Sequence, residues 1–195
     1  MQRVALVPHP STAASGVRGV FVSVAVRADG AIALSFTVEG DIERLRVPVY
    51  AGPRRADGLW RHTCFEAFVM AGSGPGYREL NFSPSGEWAA YAFRRYRDGG
   101  PLAVAVEPAI VVQSDRDRLQ VDAVAPVSCL ARAGSGAPLR LGVAAVLEDI
   151  DGRLSYWALR HPAERPDFHH PESFAWDVAG SWGGPPTSTR PRRSG

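Results

Sequence analysis

Apolar and polar residues alternate along most of this chain with the period of two that marks a strand with one buried face. Val17–Val26 (VRGVFVSVAV) and Ala31–Val38 (AIALSFTV) flank Arg27-Ala28-Asp29-Gly30, and an Asp-Gly between two alternating runs predicts a hairpin. Gly40-Asp41 breaks the pattern, Arg44–Val49 resumes it as a short strand, and the polar loop Pro53–Gly58 leads into Leu59–Phe93. That stretch reads as three strands: Thr63–Met70, Tyr77–Phe82, and one opening at Trp88 after the Ser83-Pro84-Ser85-Gly86 turn. Leu102–Val112, Arg118–Val124, Leu139–Leu147, Leu154–Leu159 and Ser173–Val178 predict further strands, with a helical turn at Pro126–Ala133 and a loop at Arg160–Pro171. Residues 1–16 read as an extended lead-in. Roughly ten short strands with regular turn signals predict an all-β sandwich or barrel.

Composition supports this picture. The 195 residues, 45% of them hydrophobic, suffice for one ordinary folded domain. The 20 glycines and 16 prolines oppose long helices and favour turns. A net charge of +2 provides no global field for nucleic acid or a membrane surface, so neither is expected as a partner. All 22 basic residues are arginine, which we read as GC-rich coding bias. Cys64 and Cys129 are expected as free buried thiols. The apolar run near the N-terminus is too short for a signal peptide, and no stretch reaches transmembrane length, so a bacterial, cytoplasmic protein is expected. Residues 180–195, rich in Gly, Pro, Ser and Arg, read as a disordered tail after a domain spanning 1–179.

The chemistry concentrates in the three-strand block. Cys64, Glu66, Phe68 and Met70 share one face of their strand, and Thr63, Phe65, Ala67 and Val69 share the other. Both faces are largely apolar, so Glu66 sits in a strand interior to a sheet. There a carboxylate is costly to bury without a partner or a water-filled concavity. If the next hairpin turns on Pro84-Ser85 alone, Asn81 falls opposite Trp88 and Glu79 opposite Ala90. One face then carries Tyr77, Glu79, Asn81 and Trp88. Planar polar groups for hydroxyls beside aromatic faces for C–H surfaces are the chemistry of sugar recognition. The bland alternative pairs Glu66 and Glu79 with nearby arginines such as Arg78 or Arg94.

Trp60-x-x-Thr63-x-Phe65-Glu66-x-Phe68 resembles the signature of family 9 carbohydrate-binding modules and the related DOMON-like domains. Tyr77–Phe82 (YRELNF) resembles the next strand of that family, with Asn81 at its asparagine. Phe168-His169-His170-Pro171-Glu172-Ser173-Phe174 resembles a late aromatic loop that follows a strand like Ser155-Tyr156-Trp157. The resemblance covers most of residues 17–178. It implies a jelly-roll-like antiparallel β-sandwich that binds a saccharide or glycan fragment without catalysis and without a cofactor. Trp60 and Phe168 would be the aromatic plates, with Trp157 a second candidate for the latter. Glu66 would hold hydroxyls with help from Asn81; the strand-face reading, apart from the resemblance, adds Glu79 and Trp88 to the ligand-binding set. Thr63 stands where the family has Asp, and Glu79 where the sugar-binding modules have Arg.

Other readings use other residues. Some DOMON-type domains bind haem through Met and His, which here points to Met70 and His161. A protein-interaction module with a degenerate sugar site is a further alternative. His161, His169 and His170 could be weighed as a metal site, but adjacent histidines in extended chain point apart, and no metal is expected. A glycosidase would need Glu66 and Glu79 at a defined separation of roughly 5–9 Å. No enzyme activity is expected.

Overall fold

The computed structural model describes residues 2–12, 16–130 and 139–178. Thirteen strands form one sheet, interrupted only by single 3-10 turns, with no α-helix among the described residues. No helix among them is long and apolar enough to cross a membrane. In chain order the strands are β1 (Gln2–Pro8), β2 (Val17–Val26), β3 (Ile32–Gly40), β4 (Arg54–Arg55), β5 (Cys64–Ala71), β6 (Tyr77–Phe82), β7 (Glu87–Arg95), β8 (Asp98–Pro101), β9 (Ala109–Ser114), β10 (Arg118–Ala125), β11 (Leu139–Glu148), β12 (Leu154–Ala158) and β13 (Trp176–Val178). Across the sheet they run β4-β7-β6-β5-β11-β12-β1-β2-β3-β10-β9, with β8 on β7 and β13 on β11. Every pairing is antiparallel except that of β4 with β7.

The sheet curls back on itself, and β1 is where it turns. Gln2–Leu6 pair with β2, whereas Val7 and Pro8 pair with β12. The extended lead-in is therefore an integral strand that joins two facing halves. Between the halves lies a core drawn from Val20, Val22, Leu34, Phe36, Leu119 and Val121 on one side and Phe65, Ala67, Leu80, Phe82, Leu141 and Val143 on the other. The Phe36 and Phe65 rings meet at 5.1 Å.

The second half has another buried face. Phe68, Met70, Tyr77, Ala144 and Val146 point away from the central core and are covered by Phe168 and Phe174 from the C-terminal loop. This explains why β5 is apolar on both sides: it lies between β6 and β11 and has a packed layer above and below. The sheet thus brings Glu66 into a buried face.

Two strand expectations are corrected. Arg44–Val49 forms no strand; Ile42–Arg44 is a 3-10 turn followed by a single bridge from Leu45 to Asp149. Its alternation is satisfied by tertiary contacts instead, since the Arg46 amide donates to the Glu148 carbonyl at 2.8 Å and its guanidinium to the Glu148 carboxylate at 2.9 Å. Leu102–Val112 is a strand only from Ala109 onward, because Leu102 and Val104 pack on the core as irregular chain. The helical turn expected at Pro126–Ala133 is a 3-10 turn at Val127–Cys129, its later residues lying outside the described ones. The expected tail, 180–195, also lies outside them. Cys64 and Cys129 are free and buried.

Candidate functional site

The outer face of β5 and β6 supplies a floor of polar groups. Glu66 pairs across the strands with Asn81, and Glu79 with Phe68, so the two acids are diagonal neighbours. Glu66 is 3% exposed, Glu79 6% and Asn81 0%. The Asn81 amide donates to one Glu79 oxygen at 2.9 Å. His169 Nε2 approaches the other at 3.5 Å. Glu66 has no hydrogen-bond partner among the described residues and opens onto a cavity of about 450 Å³. Burial, and then the Glu79 charge, push the Glu66 carboxyl well above its usual range. Burial also raises Glu79, against the opposing hydrogen bond from Asn81.

His169 is neutral. Burial, and then the Arg97 guanidinium, push it down to about 4. Its Nδ1 lies 2.8 Å from the Tyr77 hydroxyl, which also accepts from the Arg97 amide at 3.1 Å. With the phenol donating to Nδ1, the ring carries its proton on Nε2, facing Glu79. The 3.5 Å approach is then a dipolar contact rather than an ion pair.

Aromatic side chains make the walls. Trp60, on the 3-10 turn Leu59–Arg61, is 40% exposed and meets the Tyr91 ring edge-on at 6.0 Å. The Tyr91 hydroxyl donates to Asp57 at 2.6 Å, and Arg55 grips the same carboxylate through two hydrogen bonds. Phe93 stacks on Tyr77 at 4.7 Å. The opposite wall is Tyr156 from β12, with Pro166 and Phe168 from the loop after it.

That loop is fastened by one carboxylate. Asp167 accepts from the Tyr96 hydroxyl and the Arg97 guanidinium, each at 2.8 Å, and from the His169 amide at 3.1 Å. Arg97 itself has φ of 55°, the one positive value among described non-glycine residues, so the β7–β8 turn is held in a sparsely populated conformation. Asp167→Ala is expected to release this wall, at a cost of roughly 1–3 kcal/mol for the lost charged hydrogen bonds. Limited trypsin digestion checks it: the Arg160–His161 bond should become cleavable under conditions that leave the parent chain intact.

The structure gathers Trp60, Glu66, Glu79 and Phe168 around one cavity and places Asn81 beneath Glu79. It does not bring Trp88 or Trp157 there; both point into the core between the halves. Trp88 is misplaced in the sequence reading by one residue of register. The hairpin loop has three residues, with the Ser83 amide on the Glu87 carbonyl at 2.9 Å and Gly86 in the left-handed region at φ 85°. Trp88 therefore pairs with Phe82, and Asn81 faces Ala89. Trp157 faces inward because its neighbour Tyr156 faces the cavity; its indole donates to Ser155 at 3.2 Å.

The same slip hid Tyr91 and Phe93, which lie across from Glu79 and Tyr77. Correct loop length would have exposed both by alternation. Tyr156 follows from the same rule on β12. Arg97 and Asp167 carry no sequence signal, since their pairing joins segments 70 residues apart.

Neither acid on the floor pairs with an arginine in the way the bland alternative requires. Arg94 is bound to Asp98 at 3.1 Å, the buried Arg78 Nε has no hydrogen-bond partner among the described residues, and Arg97, which the alternative did not name, is bound to Asp167. Thr63 is not part of the cavity; buried, it donates to the Arg46 carbonyl at 2.8 Å and accepts from the Glu148 amide. The haem candidates are engaged elsewhere: Met70 sulfur accepts from Arg140 at 2.7 Å, and His161 lies 2.9 Å from the Val7 carbonyl. His170 caps the 3-10 turn Pro171–Ser173, so the three histidines serve separate contacts. No group of three or more metal-ligating side chains is arranged around a common point among the described residues.

No family model matches the chain, and no curated protein matches it in sequence. Among solved structures, a candidate carbohydrate-binding protein from Bacteroides uniformis superimposes with a TM-score of 0.68 at 16% identity, over 88% of this chain and 83% of that one. A family 9 carbohydrate-binding module from Caldicellulosiruptor kristjanssonii with cellotriose gives 0.46 at 11% identity, over 81% and 72%. The same organism's family 9 module with glucose gives 0.43 at 11%, over 76% and 69%. None of the three is described as a DOMON domain. The Bacteroides uniformis protein is near enough in shape to carry a conclusion, and this chain shares its fold.

Proposed function

We propose that residues 1–179 form a non-catalytic, jelly-roll-like binding unit that holds a saccharide in this cavity. One observation carries the reading: Glu66, buried and unbonded, opens onto a recess walled by Trp60, Tyr91, Tyr156 and Phe168. A carboxyl held this far from bulk water gains from the hydrogen bonds a ligand brings. Sugar hydroxyls supply donors in number, and the C–H faces of a pyranose suit aromatic rings. The volume of about 450 Å³ lies within the range of small-ligand sites, roughly 300–1,000 Å³. The description of the Bacteroides uniformis protein as a candidate carbohydrate binder agrees with this reading.

Trp60 supplies the accessible plate. Because it is partly exposed and outside the core, Trp60→Ala is expected to weaken saccharide binding about 30-fold, the scale of an aromatic hot spot. Calorimetric titration with a glycan panel measures the loss, and an unchanged cooperative melt shows that the fold survives. Absence of binding by the parent protein across the panel would sink the reading. Turnover of a chromogenic glycoside that vanished in Glu66→Gln would overturn its non-catalytic part.

A further inference from the structure

We infer that the sugar held in this cavity carries a protonated amine. The inference rests on the saccharide reading and narrows it to amino sugars. Its basis is a charge census of the groups around the floor. From β5 comes Glu66 and from β6 Glu79, both more than nine-tenths buried, with neutral Asn81 and Tyr77 beside them. The β7–β8 segment contributes neutral Tyr91 and Arg97, the one arginine lining the cavity among the described residues. Its guanidinium is bound to Asp167 at 2.8 Å, so that pair is neutral. The C-terminal loop adds neutral His169. On β11 the residue across from Glu66 is Ala144, which offers nothing. Three acids therefore face one arginine, whose charge reaches Glu66 and Glu79 but whose ion pair is with Asp167, so the floor keeps an excess of acid.

Two adjacent buried carboxyls ionise together only if a cation joins them. Arg97 favours the charged form of each but forms its ion pair with Asp167, and the cavity opens beside the two acids. A ligand ammonium set between Glu66 and Glu79 would find two acceptors for its three donors. Trp60, Tyr91 and Phe168 line the same cavity, and the face of an aromatic ring attracts a cation. A neutral sugar can satisfy the hydroxyl-binding part of the site and leaves the acid pair sharing a proton.

The experiment titrates the full chain by calorimetry with matched probes: glucose and glucosamine, galactose and galactosamine, mannose and mannosamine, then N-acetylglucosamine and cyclohexylamine. In at least one pair the amino sugar should bind at least about tenfold tighter than its neutral partner, as expected for a desolvated charge pair. N-Acetylation should abolish the gain. Glu79→Gln and Glu66→Gln should each bring the pair near parity while retaining a cooperative melt. Neutral sugars that bind as well as or better than the amino sugar in every pair would overturn the inference and leave the saccharide reading standing. Binding of cyclohexylamine without any sugar, or of no probe at all, would overturn both.

Discussion

Phe65→Ala is expected to remove about 3–5 kcal/mol of stability, the usual cost of deleting a phenyl ring from a packed core. Phe65 is fully buried, flanked on its own sheet by Phe82 and Ala145, and meets Phe36 of the facing half at 5.1 Å. Its ring thus fills space between the halves that no neighbouring side chain can reclaim without moving a strand. Domains of this size have total stabilities of about 5–15 kcal/mol, so the variant should sit near the margin of folding. Urea denaturation followed by tryptophan fluorescence reads the shift in midpoint. A change below about 1 kcal/mol would mean that the facing halves do not pack through this ring.

Glu66→Gln is expected to act oppositely on stability and function. Folding raises the Glu66 pKa, chiefly through burial and then through Glu79. Below the unfolded value both states hold the proton, and the buried carboxyl carries no ionisation penalty. As pH rises past that value the unfolded chain ionises first, so stability falls until the folded-state pKa is passed and the penalty is complete. Glutamine keeps the shape and removes the ionisation. The variant should therefore be more stable than the parent at pH 7–8, by about 1–2 kcal/mol for relief of a poorly solvated acid. The gain should fade toward pH 4. At the same time saccharide binding should weaken by about tenfold, the scale of one hydrogen bond to the ligand. Thermal melts across pH and titrations at pH 7.5 separate the two effects. A variant less stable than the parent at pH 7.5 would show that the acid is compensated by contacts that glutamine cannot make. Stabilisation with loss of binding is the pattern of a residue retained for a ligand rather than for the fold.

Alternation alone located much of this. It made β2, β3, β5, β6, β10, β11 and β12 recognisable, because a strand with a buried face must repeat every second residue. It also marked Glu66 as an acid on a two-sided apolar strand, which is the feature from which the site reading begins. Where it failed, the failure was one of counting: a three-residue loop taken as two turns every side chain of the next strand over. Trp88 entered the candidate set and Tyr91 and Phe93 left it for that reason alone. Arg44–Val49 failed differently, since its pattern reflects contacts with the Glu148–Ile150 segment rather than a ladder.

By itself, then, the sequence determined the all-β class, the strands with clear alternation, and the presence of a buried acid in need of a partner. These depend on residue type and short-range periodicity, which local chain geometry imposes. Only the tertiary structure decided that Glu66 and Glu79 lie diagonally on one floor, that Trp60 and Phe168 stand around it, and that Asp167 ties the closing loop to Arg97. Those relations join residues far apart in the chain. They arise from how the sheet curls and where the C-terminal loop docks on it, and no local pattern encodes either.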